Sequence, residues 1–224
     1  MSDWHTFATS EELDQELAKY IAEKLQQELT NRGAASLAVS GGRTPCGMFQ
    51  RLSQCALDWA RVSITLVDER KVPVTSADSN ERMVREHLLQ NFAESAEFVG
   101  LARSGADTLD DLEKELLAMP KPYSAVILGM GSDGHTASWF PGADNLETLL
   151  DPDNPAQLAD TTPPAAPHRR ITQTLSALMA SQELAIHITG QDKLDMLKSA
   201  QLEEKPIATV LDQKLVPVSI WWAP

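Results

Sequence analysis

The sequence predicts an α/β protein in which helices cover both faces of a mostly parallel central sheet, so that the chain forms three α/β/α layers. Two observations predict it. Strand and helix patterns alternate throughout, and the short apolar run at residues 125–128 ends in Gly129, which is typical of a strand buried on both faces. The 224 residues contain no internal repeat and no clear boundary. We therefore expect a single domain over residues 1–224, with a surface excursion over residues 151–167.

Composition argues against several classes of partner. The formal net charge is -13, which disfavours nucleic acid and anionic membranes. An anionic substrate would need a local basic cluster, which is feasible because charges are screened over about 8 Å at physiological salt. Cys46 and Cys55 have neither disulfide nor metal spacing, and no zinc or EF-hand pattern is present. We see no signal peptide and no apolar run of membrane-spanning length, so we expect a cytoplasmic protein.

The chain begins with a predicted long amphipathic helix. Thr9 and Glu12 resemble a capping box, apolar residues then repeat at helical spacing, and Gly33 ends the pattern. Because the outer face is polar and acidic while the inner face is apolar, we expect this helix to pack on the sheet and to have no chemical role.

A candidate anion site follows the first predicted strand, residues 36–39. The segment S-G-G-R-T-P comes next, and we expect Thr44 to cap the following helix and Pro45 to be its first residue. A strand, a glycine pair and a helix amino terminus direct free backbone N–H groups at one spot. The expected contributors are Ser40, Gly41, Gly42 and Thr44. Since no lysine follows the glycines, a tight turn without a ligand stays an alternative.

Three charged residues, Asp68, Glu69 and Arg70, directly follow a buried strand predicted over residues 62–67. At the carboxyl edge of a parallel sheet they would lie near a ligand. Arg70 could reach a carbonyl or phosphate oxygen there, with Asp68 or Glu69 holding it; the alternative is a solvated loop. We expect Ser79 or Asn80 to cap the next helix, and Asn80 could cap the helix, contact a ligand, or do both.

The strand at residues 125–128 leads into the most informative segment, G-M-G-S-D-G-H-T-A-S-W-F-P-G. This segment has Asp133 and His135 two residues apart in a glycine-rich turn. A histidine at the carboxyl end of a parallel strand can transfer a proton near neutral pH, and a nearby aspartate can orient it. The alternative is a plain turn, in which Asp133 bonds to the backbone and His135 is solvated.

Two later segments supply cations. The sequence H-R-R-I-T after the excursion has Arg169 and Arg170 at what we expect to be the mouth of a helix, although a solvated charge patch is an equal alternative. A strand over residues 184–189 then leads into a helix with Lys193 in its first turn. A lysine there opposes the helix dipole, so it favours an anionic ligand nearby. The last strand is expected over residues 216–222.

Together these motifs resemble the 6-phosphogluconolactonase family, within the superfamily shared with glucosamine-6-phosphate deaminases. The segments that carry the resemblance are S-G-G-R-T-P at 40, D-E-R-K-V-P at 68, S-N-E-R-M-V-R at 79, G-M-G-S-D-G-H-T-A-S-W-F-P-G at 129, R-I-T at 170 and G-x-x-K at 190. The glycine-histidine motif is common to both groups, whereas the segments at 68 and 79 favour the lactonases. One variation is Arg43, where many relatives have a smaller residue.

The resemblance implies a Rossmann-like, sugar-phosphate-binding domain. The implied activity is hydrolysis of 6-phospho-D-glucono-1,5-lactone to 6-phospho-D-gluconate in the oxidative pentose phosphate pathway, without a metal or organic cofactor. His135 would act as general base on a water molecule, Asp133 would orient it, and Arg70 would help to hold the lactone. The implied ligands of the substrate and its phosphate are Ser40, Gly41, Gly42, Thr44, Asp68, Asn80, Gly131, Arg170 and Lys193.

Two rival functions use the same scaffold. A glucosamine-6-phosphate deaminase or isomerase would open an aminosugar ring with a carboxylate base, for which Asp68 is the candidate. A non-catalytic sugar-phosphate sensor would bind without turnover. In every case we expect a small-molecule partner and a monomer or weak homodimer. The sequence leaves open the choice between 1,5- and 1,4-lactones, the role of Arg43, and whether Arg169 or Arg170 is the main phosphate ligand.

Overall fold

The computed structural model describes residues 3–101, 108–199 and 202–224. Within these ranges the chain forms ten strands and eight α-helices. The strands are β1 (Asp3–Thr6), β2 (Ala35–Val39), β3 (Val62–Leu66), β4 (Asp68–Arg70), β5 (Glu97–Val99), β6 (Ala125–Leu128), β7 (Leu158–Thr161), β8 (Arg170–Gln173), β9 (Leu184–Thr189) and β10 (Val218–Ala223). The helices are α1 (Ser10–Arg32), α2 (Cys46–Leu52), α3 (Asn80–His87), α4 (Leu109–Ala118), α5 (Leu146–Leu149), α6 (Leu175–Met179), α7 (Gln191–Lys198) and α8 (Pro206–Asp212).

Seven strands form one parallel sheet in the order β1-β10-β9-β6-β2-β3-β5. Strand β6 lies at its centre, where Ala125 pairs with Leu37 of β2 and Val126 pairs with Leu184 of β9. Every residue of β2, β3 and β6 is buried, which is why these strands are nearly continuous apolar runs. The predicted α/β fold with a mostly parallel central sheet is confirmed.

Helix α1 forms as its capping signals predict. The Thr9 hydroxyl accepts a hydrogen bond from the Glu12 backbone N–H at 3.1 Å, and Gly33 ends the helix with a φ of 80°. The inner face buries Leu13 and Leu17 completely and packs against β2, β6 and β10. Each such leucine stabilises the fold through removal of its apolar surface from water.

A second sheet of three antiparallel strands, in the order β4-β8-β7, differs from the prediction. Asp68–Arg70 is a strand and not a loop, because it hydrogen-bonds to β8 with Arg70 opposite Arg170. Arg170 therefore begins a strand that Arg169 directly precedes, and the expectation that the two residues mark the mouth of a helix is wrong, since α6 begins only at Leu175.

Three further strands, β1, β5 and β7, have no counterpart in the sequence-based prediction. Strands β1 and β5 are the two edges of the parallel sheet, where a few residues are enough to complete the pairing. Strand β7 lies within residues 151–167, the predicted surface excursion, and it buries Leu158 and Thr161. Part of that segment is thus an element of the second sheet.

Candidate active site

The carboxyl ends of β2, β6 and β9 border a cavity of about 310 Å³. Ligands of open α/β proteins bind at this edge of the sheet. All of the predicted site residues except Asp133 and Arg170 line the cavity, namely Ser40, Gly41, Gly42, Thr44, Asp68, Arg70, Asn80, Gly131, His135 and Lys193. Segments that are far apart in the chain therefore meet at one place.

A neighbouring cavity of about 430 Å³ shares Gly131, His135 and Lys193 with the first and is also lined by Asp133. His135 and Lys193 thus stand where the two cavities adjoin. Residues 164–166, which belong to the proline- and alanine-rich segment before β8, form part of the wall of the second cavity.

The Asp133 carboxylate holds His135 through one oxygen. Its Oδ1 lies 2.6 Å from His135 Nδ1 and accepts the His135 backbone N–H at 3.2 Å. Partial burial opposes ionisation of Asp133, but the charge and the two hydrogen bonds of His135 outweigh it and lower the pKa of Asp133. An ionised Asp133 accepts a hydrogen bond from a proton on Nδ1, so a neutral imidazole in this contact keeps its lone pair on Nε2, which is the tautomer that a general base needs.

The glycine turn around the histidine is tightly built. The Gly131 N–H donates to the His135 carbonyl at 2.9 Å, and Gly134 has a φ of 81°. A Cβ on Gly131 would lie 2.2 Å from both Cε1 and Nδ1 of His135. Only glycine therefore leaves room for the ring. The imidazole also lies near the Phe140 ring, at a centroid distance of 4.4 Å.

Arg70 is held by other residues than those expected. Its Nη1 donates to the Asp78 carbonyl at 2.7 Å and to Asn80 Oδ1 at 2.8 Å. The Asn80 amide in turn donates to the Asp68 carbonyl at 2.8 Å. The expectation that the Asp68 or Glu69 carboxylate holds the Arg70 side chain is thus wrong. Asn80 lines the cavity, but both ends of its amide already bond to protein atoms.

The Glu69 carboxylate caps α3. It accepts the backbone N–H groups of Arg70, Asn80 and Glu81 at 2.6 to 2.8 Å, together with the Ser79 hydroxyl at 3.1 Å. Burial raises the pKa of Glu69, although the three backbone hydrogen bonds act in the opposite direction. These bonds lock the start of α3, and with it Asn80, against β4. The Ser79 hydroxyl is the N-cap, accepting the Arg82 N–H at 3.2 Å.

Asp68 has a partner that sequence analysis did not identify. Its Oδ2 accepts the Ser138 hydroxyl at 2.5 Å, and both side chains are buried. Ser138 lies within the glycine-histidine segment, and its place in that motif is the sequence signal that could have marked it as a site residue. The contact ties β4 to the loop that carries His135.

The loop after β2 is anchored to the central strand. The Ser40 N–H donates to the Ile127 carbonyl at 2.9 Å, and its hydroxyl oxygen accepts the Gly129 N–H at 3.0 Å. Gly42 has a φ of 95°, which glycine adopts without strain. A Cβ on Gly41 would lie 1.9 Å from Asn80 Oδ1, so the loop packs closely on the residue that holds Arg70.

Thr44 does not cap α2. The helix begins at Cys46, and Pro45 stands at the N-cap position without a side-chain hydrogen bond. A turn closed by the Cys46 N–H and the Arg43 carbonyl at 3.3 Å precedes the helix and leaves Thr44 outside it. Thr44 is exposed at the rim of the cavity.

Arg169 and Arg170 differ in their exposure to solvent. Arg169 is exposed and its Nη2 lies 3.4 Å from Asp160 Oδ2. Arg170 is 5% exposed, and its Nη1 has no hydrogen-bond partner among the described residues. Burial, followed by the charge of Arg70, lowers the pKa of Arg170. Arg170 does not line either cavity, although its guanidinium lies 6.0 Å from the Phe140 ring that borders the second one.

A family model described as glucosamine-6-phosphate isomerases/6-phosphogluconolactonase matches residues 8–221. The chain belongs to this family. It is 40% identical over 227 residues to the 6-phosphogluconolactonase of Mesorhizobium japonicum, with 99% of this chain and 95% of that relative covered. It is also 40% identical over 227 residues to the 6-phosphogluconolactonase of Neisseria meningitidis serogroup A, with 98% of each covered.

Solved structures agree with this assignment. A 6-phosphogluconolactonase from Shewanella baltica matches with a TM-score of 0.95 and 42% identity, covering 100% of this chain and 98% of that one. A monomeric glucosamine-6-phosphate deaminase matches with a TM-score of 0.75 and 16% identity, which shows a shared fold alone. Among the described residues, no helix has the length and apolar character of a membrane span, and no group of three or more His, Cys, Asp or Glu side chains could hold a metal ion.

Proposed function

We propose that the chain hydrolyses 6-phospho-D-glucono-1,5-lactone to 6-phospho-D-gluconate, a step of the oxidative pentose phosphate pathway. One observation carries the proposal. An aspartate-oriented imidazole and a lysine at the start of a helix line the same cavity, together with the glycine loop after β2. A proton-transfer group and an anion site in one cavity suit a small phosphorylated ester.

His135 acts as the general base. Its Nε2 removes a proton from a water molecule, whose oxygen attacks the lactone carbonyl carbon. The carbonyl oxygen becomes an oxyanion in the tetrahedral intermediate, and the Arg70 guanidinium stabilises this charge. When the intermediate collapses, the bond between the carbonyl carbon and the ring oxygen breaks, and His135 returns its proton to that oxygen. A positioned general base contributes about 10²–10⁴-fold to the rate.

Asp133 keeps the imidazole in the required tautomer and stabilises the imidazolium that forms during attack. Asn80 orients Arg70, since its amide bridges the Arg70 guanidinium and the Asp68 carbonyl. Asp68, itself fixed by Ser138, contributes a carboxylate to the wall that faces the sugar. Gly131 gives the histidine ring the space it occupies.

The phosphate group binds at the glycine loop after β2 and next to Lys193, which stands with His135 where the two cavities adjoin. Its ligands are the backbone N–H groups of Gly41 and Gly42, the hydroxyls of Ser40 and Thr44, and the Lys193 ammonium. Arg170 does not line the cavity and contributes only through its buried positive charge next to Arg70, and the exposed Arg169 is the weaker candidate for a phosphate ligand. These local cations oppose the repulsion that a net charge of -13 exerts on an anionic substrate.

The test is to replace His135 by Asn and to follow the disappearance of freshly prepared 6-phosphogluconolactone. We expect a folded protein whose turnover falls by about 10²–10⁴-fold. A folded His135→Asn variant with near-normal turnover would remove this residue from the mechanism. Wild-type protein that binds the sugar phosphate without turnover would favour the sensor, and ammonia release from glucosamine 6-phosphate would favour the deaminase.

We further propose that residues 1–224 form one sugar-phosphate-binding domain that acts in the cytoplasm as a monomer or weak homodimer and needs no cofactor. Helix α1 packs on strands from both halves of the parallel sheet, and Ser138 of the histidine loop bonds to β4 of the second sheet, which supports one folding unit. Sedimentation equilibrium and the absence of any effect of a chelator on turnover are the corresponding tests.

A further inference from the structure

A second histidine lies in the wall of the cavity. His187 belongs to β9 and lines the cavity together with Gly41, Gly42 and Lys193. Its side chain is 2% exposed, and neither ring nitrogen has a hydrogen-bond partner among the described residues. Buried polar groups are almost always paired in folded proteins. His187 is therefore a buried imidazole in the wall of a ligand cavity, and its protonation state can respond to a charge that a ligand brings into the cavity.

The charged side chain next to this histidine is Asp14 of α1. Its Oδ1 lies 3.5 Å from His187 Nε2, and only 13% of its side chain is exposed. A Cβ on Gly47 would lie 2.0 Å from Asp14 Oδ2, so glycine is needed where α2 passes the carboxylate. Asp14 is thus enclosed between His187 and the helix that follows the glycine loop.

Burial disfavours charge on both members of the pair. It raises the pKa of Asp14 to about 6, although Arg51 opposes this, and lowers the pKa of His187 to about 4. Near pH 7 the pair therefore holds an ionised Asp14 and a neutral His187, and it has room for one more proton. Trp221, which does not titrate here, pairs with His187 on β10. The other titratable side chains around the pair are Glu11, Cys46, Arg51 and Lys193.

We propose that His187 is a further residue of the phosphate site that acts through its charge: it takes up a proton from solvent when a dianion enters the cavity, while Asp14 positions the resulting imidazolium. This inference rests on the proposed function, because it takes the phosphate end of a sugar phosphate as the ligand. A dianion repels the Asp14 carboxylate and attracts an imidazolium. Protonation of His187 places one positive charge between two negative groups, so binding and proton uptake reinforce each other.

Sulfate is the probe for this test, because it stays a dianion between pH 5 and pH 8 and does not itself titrate. We expect its affinity to rise as the pH falls over this range, by up to about tenfold per pH unit where one full proton is taken up. Calorimetry in two buffers with different heats of ionisation counts the protons directly. A count of zero between pH 5 and pH 7 in the wild-type protein overturns the proposal.

Four variants identify the group that takes the proton. His187→Gln keeps a polar side chain of similar size but cannot be protonated, so we expect its sulfate affinity at pH 6 to fall about tenfold and to lose its pH dependence. His135→Asn should keep proton uptake, although His135 also lines the cavity. Asp14→Asn should reduce uptake, since the imidazolium loses its anionic partner. His87→Gln, which alters a histidine of α3 outside the cavity, is the matched control and should behave as wild type.

Proton uptake that persists in His187→Gln but vanishes in Asp14→Asn or His135→Asn would assign the proton elsewhere and overturn the proposal. Thermal unfolding shows whether each variant is folded. If His187→Gln does not fold, the number of protons that the wild-type protein takes up on binding sulfate tests the proposal on its own. Lactone turnover is scored separately. Wild-type turnover combined with an unchanged KM in His187→Gln at pH 6 refutes only this inference, whereas wild-type protein without lactonase activity refutes the proposed function.

Discussion

Replacing Gly131 by Ala tests the geometry of the histidine turn without removing a functional group. The added Cβ would lie 2.2 Å from Cε1 and Nδ1 of His135 and 2.6 Å from Asp133 Oδ1, where ordinary contacts begin at 3.4 Å. The ring must therefore move by more than 1 Å, or its bond to Asp133 must lengthen. Misplacement of a catalytic group by about 1 Å costs on the order of 10²-fold in rate.

We accordingly expect Gly131→Ala to lower kcat about 100-fold and to leave KM within about threefold, because the phosphate end of the cavity is untouched. Gly129→Ala is the matched control. A Cβ there meets nothing closer than the Ser40 Cβ at 3.9 Å, so kcat should stay near normal. Steady-state assays on fresh lactone, with thermal unfolding of each variant, decide the matter. A folded Gly131→Ala protein with full kcat would refute the argument that this glycine makes room for the imidazole.

Three further predictions follow from the same contacts. Asp133→Asn should lower kcat by about 10²–10⁴-fold, because an amide at this position no longer enforces the Nδ1–H tautomer; an unchanged kcat would contradict that role. Asn80→Ala should lower kcat/KM by about 10–100-fold, since Arg70 loses its 2.8 Å bond to the amide, and equal activity would show that the Asp78 carbonyl suffices. Burial lowers the pKa of Lys121 from 10.5 to about 7. Between about pH 7 and pH 10.5 the unfolded chain therefore binds more protons than the folded protein, so the free energy of unfolding rises with pH across this range. Lys121→Met should raise Tm at pH 7 by a few degrees and make Tm less dependent on pH. Scanning calorimetry at pH 7 and pH 9 checks this, and an unchanged Tm in the variant would show that the amine is well solvated.

Residues whose role depends on one strand end were predictable from sequence. Each of the segments that contain Ser40, His135 and Lys193 follows an apolar strand and has a glycine within two residues of the strand end. Parallel strands share a carboxyl edge, so the order of elements alone predicts that these segments meet. The first helix was equally predictable, because its cap, its periodicity and Gly33 are all local signals.

The second sheet was not predictable in the same way. Strand β4 has three charged residues and no alternation of polar and apolar side chains, and its partner β8 lies about a hundred positions further along the chain. Long-range pairing of this kind leaves no periodic signal in either segment. The same reason explains why the residues that hold the Arg70 side chain were predicted wrongly. Asp78 and Asn80 hold it, and their positions depend on how α3 docks on β4 through the Glu69 carboxylate.

His187 illustrates a different limit. It stands in the apolar run of β9, where sequence analysis finds a buried strand and nothing else. Only the structure reveals that this position lines the cavity and lies 3.5 Å from a carboxylate on α1. Polar residues inside apolar strands are best interpreted once their neighbours in space are known.

The proposed mechanism requires one orientation of the ligand in the cavity, and a crystal structure with bound 6-phosphogluconate, the product, tests it directly. We expect the phosphate to lie against Lys193 and the N–H groups of Gly41 and Gly42, with the carboxylate carbon next to His135 Nε2 and one carboxylate oxygen on Arg70. A product bound the other way round, with its phosphate on His135 and its carboxylate on Lys193, would contradict the assignment of base and phosphate site.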